Sequence, residues 1–223
     1  MIKNCMRAAL AAAFLALPLT TMSPASAADA APDALPMTLK QAVAALPTAA
    51  ESRDGYQRSW FKHWTDEDRD SCNTREEVLI AESRTAPIIG PGCKVTGGRW
   101  HSYYDGETLT QPRGLDIDHM VPLAEAWDSG ASTWSAERRK AYANDLGDER
   151  SLVAVTARSN RSKSDQDPAE WQPPLADARC TYTTDWVATK LRWGLAVDKA
   201  ERQALRKLAA GCGQERVEYE PAG

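Results

Sequence analysis

Hydrophobic residues recur at helical spacing twice toward the C-terminus of this chain, over 185–195 and 199–209, and Gly211 supplies a stop for the second stretch. Further upstream the period changes. Leu152, Val153, Ala154 and Val155 form a short β-prone run followed directly by a helix-compatible stretch from Ala157, and residues 115–120 form a second extended stretch. Between these, Pro122 opens a short helix over 123–127, and Ser135 caps a longer one through Asn144 with Arg138, Arg139 and Lys140 on its exposed side. Residues 93–109 place Gly97-Gly98 and Asp105-Gly106 among short β-prone stretches, which predicts strand, tight turn and strand. Asn73 or Thr74 can cap a helix to about Ser83, Thr38 can cap one through Leu46, and Tyr56, Trp60 and Phe61 are expected to bury against the main body. Residues 167–174 read as a capped turn and then an extended proline segment. With no internal repeat and no linker, the pattern predicts one α+β domain around a single core.

Two segments fall outside that core. Lys3 and Arg7 precede an apolar run over 8–19 and then Ala25-Ser26-Ala27, the layout of a cleaved secretory signal over 1–27. The run is shorter than the roughly 20 residues of a membrane span, so the mature chain is expected outside the cell, not on a membrane, and monomeric. Residues 28–36 are too poor in large apolar groups to pack. Order is expected to begin near Met37; the span 28–50 is read as a flexible segment with one short helix, and 51–223 as the folded domain.

Loss of the first 27 residues removes Cys5 and leaves Cys72, Cys93, Cys180 and Cys212, an even number suited to an oxidising compartment. Of the three connectivities open to four cysteines, Cys72–Cys93 with Cys180–Cys212 is favoured because each closes a local loop. No pair has the short spacing of a structural zinc site. The same cleavage takes the basic count from 27 to 25 against 31 acids, moving the formal charge from −4 to −6. A broadly basic nucleic-acid binder is excluded by that balance, so any work on nucleic acid needs basic groups concentrated locally. Residues 151–163 do this, with Arg158, Arg161 and Lys163 and no acid among them.

The candidate chemistry lies in Asp116-Ile117-Asp118-His119-Met120-Val121-Pro122-Leu123 and in Ser159-Asn160-Arg161-Ser162-Lys163. Adjacent Asp118 and His119 on an extended backbone point to opposite sides, so one can hold a metal while the other handles a proton. An imidazole titrates near neutral pH and can accept a proton from water, and oxygen ligands suit a hard cation such as magnesium or manganese.

Asp118-His119-Met120-Val121-Pro122-Leu123, Leu152-Val153-Ala154-Val155 and Asn160-Arg161-Ser162-Lys163-Ser164-Asp165 resemble the successive parts of an HNH endonuclease, the ββα-metal finger. Cys72-Asn73-Thr74-Arg75-Glu76-Glu77-Val78-Leu79, Ala126-Trp127-Asp128-Ser129-Gly130-Ala131, Trp134, Ala143-Asn144-Asp145 and Trp171-Gln172-Pro173-Pro174 extend the resemblance to secreted HNH proteins common in actinobacteria. It implies a disulfide-stabilised α+β domain built around that finger with flanking helices. It also implies His119 as the general base, Asp118 and Asn160 as ligands of one divalent metal, and a nucleic-acid substrate, most readily DNA. Lys163, Arg161 and Arg158 are candidates for phosphate contact, or else a solvated basic face. Ser151 stands where many HNH enzymes carry an Asn that orients the catalytic His. Arg75 and Glu77 are expected as a structural ion pair or as support near the site, His101 as a residue that could line it, and His63 as a packed histidine. The alternatives are a secreted metal- or nucleic-acid-binding protein on the same scaffold with little catalysis, and a purely structural Asp118–His119 pair. Convergence of Asp118, His119 and Asn160 on one cavity distinguishes either HNH reading from the last.

Overall fold

The computed structural model describes residues 36–223. The expected secretory signal over 1–27, and the expected flexible segment as far as residue 35, lie outside the described residues. Strand β1 (Met37–Thr38) runs straight into helix α1 (Leu39–Ala45), where Thr38 and Gln41 form a reciprocal capping box. Leu39, Ala42, Val43 and Leu46 are buried, so order begins near Met37 as expected and the short helix within 28–50 packs against the body. Helix α2 (Thr74–Ala81) starts on Asn73, whose side chain accepts from the Arg75 N–H at 2.9 Å. Two short hairpins follow, β2 (Ile88–Gly90) with β3 (Lys94–Thr96), and β4 (Trp100–Ser102) with β5 (Glu107–Leu109).

Strand β6 (Leu115–His119) leads to α3 (Leu123–Asp128) and to α4 (Ala136–Ala143), the latter capped by Ser135. Strand β7 (Leu152–Thr156) then returns antiparallel to β6, with Leu115 opposite Thr156 and His119 opposite Leu152. Thr156 caps α5 (Ala157–Lys163) through the Ser159 N–H. Helix α6 (Arg179–Trp193) begins six residues before the expected start because Tyr182 already packs against the core ahead of Trp186. It ends where Gly194 takes a φ of +67°, a conformation that suits glycine. Helix α7 (Lys199–Gly211) is capped by Asp198, and β8 (Arg216–Val217) pairs with β1.

The β6–β7 ladder lies between two apolar clusters. Leu115, Ile117, Leu152 and Ala154 pack with Val78, Leu79, Val95 and Trp100, while Val153 and Val155 join the larger cluster built by α1, α3, α4, α6 and α7. With both faces covered, β7 is buried throughout and its first four residues are an unbroken apolar run. Its Ala154 N–H is taken at 2.9 Å by Glu82. The expected disulfides are formed: Cys72–Cys93 ties the approach to α2 to the β2–β3 turn, and Cys180–Cys212 joins α6 to the end of α7. Inside the larger cluster, fully buried Lys190 contacts Glu125 at 2.8 Å and Glu201 at 2.7 Å, and also donates to Ser129 Oγ and the Ala196 carbonyl. All three of the ammonium's protons thus have acceptors close by, the condition under which a buried charge is tolerated. Among the described residues no helix is long and apolar enough to cross a membrane.

Candidate functional site

Asp116 and Asp118, two positions apart on β6, share the face that also carries Val153 and Val155 of β7, and α5 packs across that face. There Asn160 donates through Nδ2 to Asp116 Oδ2 at 3.3 Å, and Arg161 Nε approaches the same oxygen at 3.3 Å. With its nitrogen held by Asp116, the Asn160 amide keeps its oxygen as a free acceptor. Asp118 is 5% exposed, and its Oδ2 receives Tyr104 Oη at 2.6 Å and Lys163 Nζ at 2.6 Å. Its Oδ1 has no hydrogen bond among the described residues. Burial pushes the Asp118 carboxyl up, and the neighbouring Lys163 ammonium opposes that shift.

His119 leaves the end of β6 on the other side. Its Nε2 donates to the Ala143 carbonyl at 3.0 Å, and its ring stacks between Trp64, at 5.5 Å between centroids, and Tyr142, at 6.4 Å. Because a carbonyl can only accept, this contact places the proton on Nε2 and leaves Nδ1 with a lone pair. The residue is 6% exposed, and burial lowers its pKa to about 3, with the Ala143 carbonyl pulling the other way and the nearby Arg58 charge adding to the fall. His119 is therefore held neutral. Asp118, His119 and Asn160 line one cleft of about 290 Å³, together with Arg58, Arg161 and Asp165.

Several expected residues lie elsewhere. Lys163 does not reach a phosphate: it is 0% exposed, and its ammonium is enclosed by Asp118 and by the His119 and Met120 carbonyls, each at 2.9 Å. Ser151 turns away from His119 and donates to Asp145 Oδ2 at 2.7 Å, in a network with Arg192 and Trp193. The Ala143 carbonyl at the end of α4 holds the imidazole instead. Arg75 makes no ion pair with Glu77, since its guanidinium donates to the Leu115 carbonyl at 3.0 Å. His101 pairs with Thr108 in the β4–β5 hairpin and is not on the cleft. Exposed Arg158 sits 3.3 Å from Asp105, also off the cleft, and His63 accepts a packed place with Nδ1 2.8 Å from the Phe61 carbonyl. Among the residues that sequence reasoning left without a role are Asp116, Arg58 and Trp64. For Asp116 the alternation with Asp118 was a usable signal; the other two come from a segment that only the fold brings near.

Oxygen donors set the metal chemistry open to the cleft: Asp118 Oδ1 and the Asn160 amide oxygen fit a hard divalent cation. Elsewhere, the exposed Asp66, Asp68 and Asp70 carboxylates lie within 4.8 Å of one another, and Asp70 is similarly close to Cys72 and Glu77. The Cys72 sulfur is in a disulfide and offers no thiolate. In the third carboxylate group, Glu51, Glu125 and Glu201, the last two already hold the Lys190 ammonium.

A protein-family profile described as the GmrSD restriction endonucleases, C-terminal domain, matches residues 74–208, more than half of the chain. The chain belongs to the GmrSD C-terminal domain family. A GmrSD C-terminal domain is nuclease-related and implies a nucleic-acid substrate. The matched span contains β6, β7 and α5, and it begins after Arg58 and Trp64, so part of the cleft wall lies upstream of it. A relative described as an uncharacterized secreted protein of Arthroderma benhamiae is 42% identical over 160 residues, covering 72% of this chain and 77% of its own. That relative is fungal, so the likeness is not tied to actinobacteria. With this relative and two disulfides, the protein is a secreted one. No solved structure matches the chain significantly.

Proposed function

We propose that this secreted GmrSD-type domain is a metal-dependent endonuclease of the HNH, ββα-metal kind that hydrolyses phosphodiester bonds of DNA, and of RNA where strands are accessible, with little sequence preference. The observation that carries the reading is the shared cleft of Asp118, His119 and Asn160 beside a β6–β7–α5 unit. No separate recognition module accompanies it in the described residues, which supports low specificity.

In this reading His119 is the general base. Held neutral with its proton on Nε2, it uses Nδ1 to take a proton from the attacking water. Asp118 and Asn160 would hold one divalent cation, magnesium or manganese, which when bound draws off charge from the phosphate and the leaving oxygen. Lys163 and Tyr104 position Asp118 by occupying Oδ2, which leaves Oδ1 as the oxygen open to a ligand. Asp116 does the same for Asn160 and steadies Arg161, whose charge faces incoming phosphate. A binding-only protein on this scaffold is the second reading, favoured by one observation, the near-complete enclosure of His119.

Calorimetric titration with manganese tests the ligand assignment: the wild type binds one equivalent, and Asp118→Ala and Asn160→Ala each weaken binding at least tenfold. Unchanged binding in both variants contradicts it. Wild-type cleavage of an oligonucleotide duplex, lost in His119→Ala, decides for the enzyme over the binding protein.

A further inference from the structure

Arginine 58 enters the cleft from outside the segment that carries the rest of the site. It opens a short 3-10 turn, Arg58–Trp60, whose place is set by aromatic packing: Phe61 is fully buried, its N–H donates to the Arg58 carbonyl at 3.1 Å, and Trp60 meets Trp127 at 5.1 Å. Three residues past Phe61, Trp64 stacks on His119. The same segment thus forms the wall behind the imidazole and brings a guanidinium to the cleft mouth. The other cations near the site have carboxylate partners. Arg161 is 3.3 Å from Asp116, Arg158 is 3.3 Å from Asp105, Arg53 holds Asp128 at 2.6 Å, and Lys163 is enclosed against Asp118. Arg58 has no carboxylate within ion-pair distance among the described residues, yet it lines the cleft with Asp118, His119 and Asn160.

We propose that Arg58 is a substrate-binding residue of this site, its guanidinium taking two nonbridging oxygens of the phosphodiester that is cut and holding them more tightly as charge builds in the transition state. The planar fork of arginine suits that bidentate contact, which lysine cannot reproduce. The inference rests on the phosphodiesterase reading above. It also assigns a function to the residues before position 74, which lie outside the family match.

The test uses the full oxidised protein, comparing Arg58→Ala, Arg58→Lys and Arg58→Gln with wild type and His119→Ala. Cleavage of a short DNA duplex in magnesium is followed as kcat and KM, and binding of the same duplex in the His119→Ala background is followed by fluorescence anisotropy over a salt series. Arg58→Ala should lower kcat/KM by roughly 100-fold, mostly in kcat, with partial recovery in Arg58→Lys. The slope of log affinity against log salt should fall by about 0.9, one phosphate contact. If Arg58→Ala loses near-UV circular dichroism, Arg58→Gln, which keeps most of the chain's packing, carries the comparison. A kcat/KM within about threefold of wild type and an unchanged salt slope would leave Arg58 as a solvated surface charge. A wild type that cleaves while being indifferent to Arg58 overturns this inference alone; a wild type that neither cleaves nor binds DNA overturns the underlying function and this inference with it.

Discussion

Replacing Lys163 with methionine separates a structural cation from a phosphate-gripping one. Lys163 Nζ donates to Asp118 Oδ2 at 2.6 Å and to two backbone carbonyls at 2.9 Å, with the lysine fully buried and Asp118 5% exposed. Methionine fills similar volume but leaves Asp118 with the Tyr104 hydroxyl alone and two carbonyls without this donor. Stranding one member of a buried pair costs about 3–5 kcal/mol. With a urea slope of about 2–3 kcal/mol/M for a chain of this size, the unfolding midpoint should drop by roughly 1–2.5 M, measured in EDTA so that bound metal does not contribute. The deficit should depend on pH with a definite sign. Burial already pushes the Asp118 carboxyl up, and losing Lys163 removes the main opposing influence. The folded variant therefore binds the Asp118 proton more tightly than the unfolded chain, so it is least destabilised in acid and loses stability as pH rises through the folded pKa. Adding Asp118→Asn to Lys163→Met should recover a large part of the loss, because no charge is then stranded. A Lys163→Met protein within 1 kcal/mol of wild type, with weakened phosphate binding, would refute this reasoning and return Lys163 to the substrate.

Glu82 accepts from the Ala154 N–H while burial raises its pKa from 4.5 to about 7, so the folded state favours the protonated acid and stability declines as pH climbs from 4.5 through 7. Glu82→Gln keeps the acceptor without the charge and should stabilise the protein by at most about 3 kcal/mol at pH 8 and by almost nothing at pH 4, read from urea melts at the two pH values. Ser151→Ala removes a buried donor to Asp145 and should cost about 1–2 kcal/mol in a melt while leaving cleavage within about threefold, since its hydroxyl does not touch His119; a loss of turnover without loss of stability would put Ser151 back in the site. Replacing Cys180 and Cys212 with serine opens a loop of sequence separation 32 and should cost about 3–4 kcal/mol, seen as a fall in the urea midpoint that dithiothreitol does not deepen except through Cys72–Cys93.

Local signals carried far along this chain. Thr38, Asn73, Ser135 and Asp198 each cap the helix that follows, because a short side chain with an oxygen satisfies an otherwise unpaired N–H wherever the chain turns into a helix. The run Leu152-Val153-Ala154-Val155 became a strand covered on both faces, and both disulfides closed the local loops. What the sequence left illegible depends on direction in space. Residue type and spacing put Lys163 beside the motif, but only the packing of α5 on β6 decides that its ammonium points inward to Asp118, 45 positions away. Ser151 lies next to β7 in either case, and the presence of Asp145 decides where its hydroxyl goes. Arg75 and Glu77 looked like partners in sequence, yet Arg75 finds backbone carbonyls at the start of β6. Lys190 with Glu125 and Glu201 draws on three helices and has no local signature at all. The start of order near Met37 was legible from the Thr38 cap, whereas the pairing of β1 with β8, which joins the two ends of the described chain, was not.

Nicking of a supercoiled plasmid by the oxidised mature protein, with magnesium or manganese and with EDTA, beside His119→Ala, tests the central claim most directly. The site geometry predicts conversion to open circles that requires the divalent ion and disappears in a folded His119→Ala protein. Cleavage that survives His119→Ala, or a folded, metal-supplied wild type that leaves both DNA and RNA intact, would contradict it.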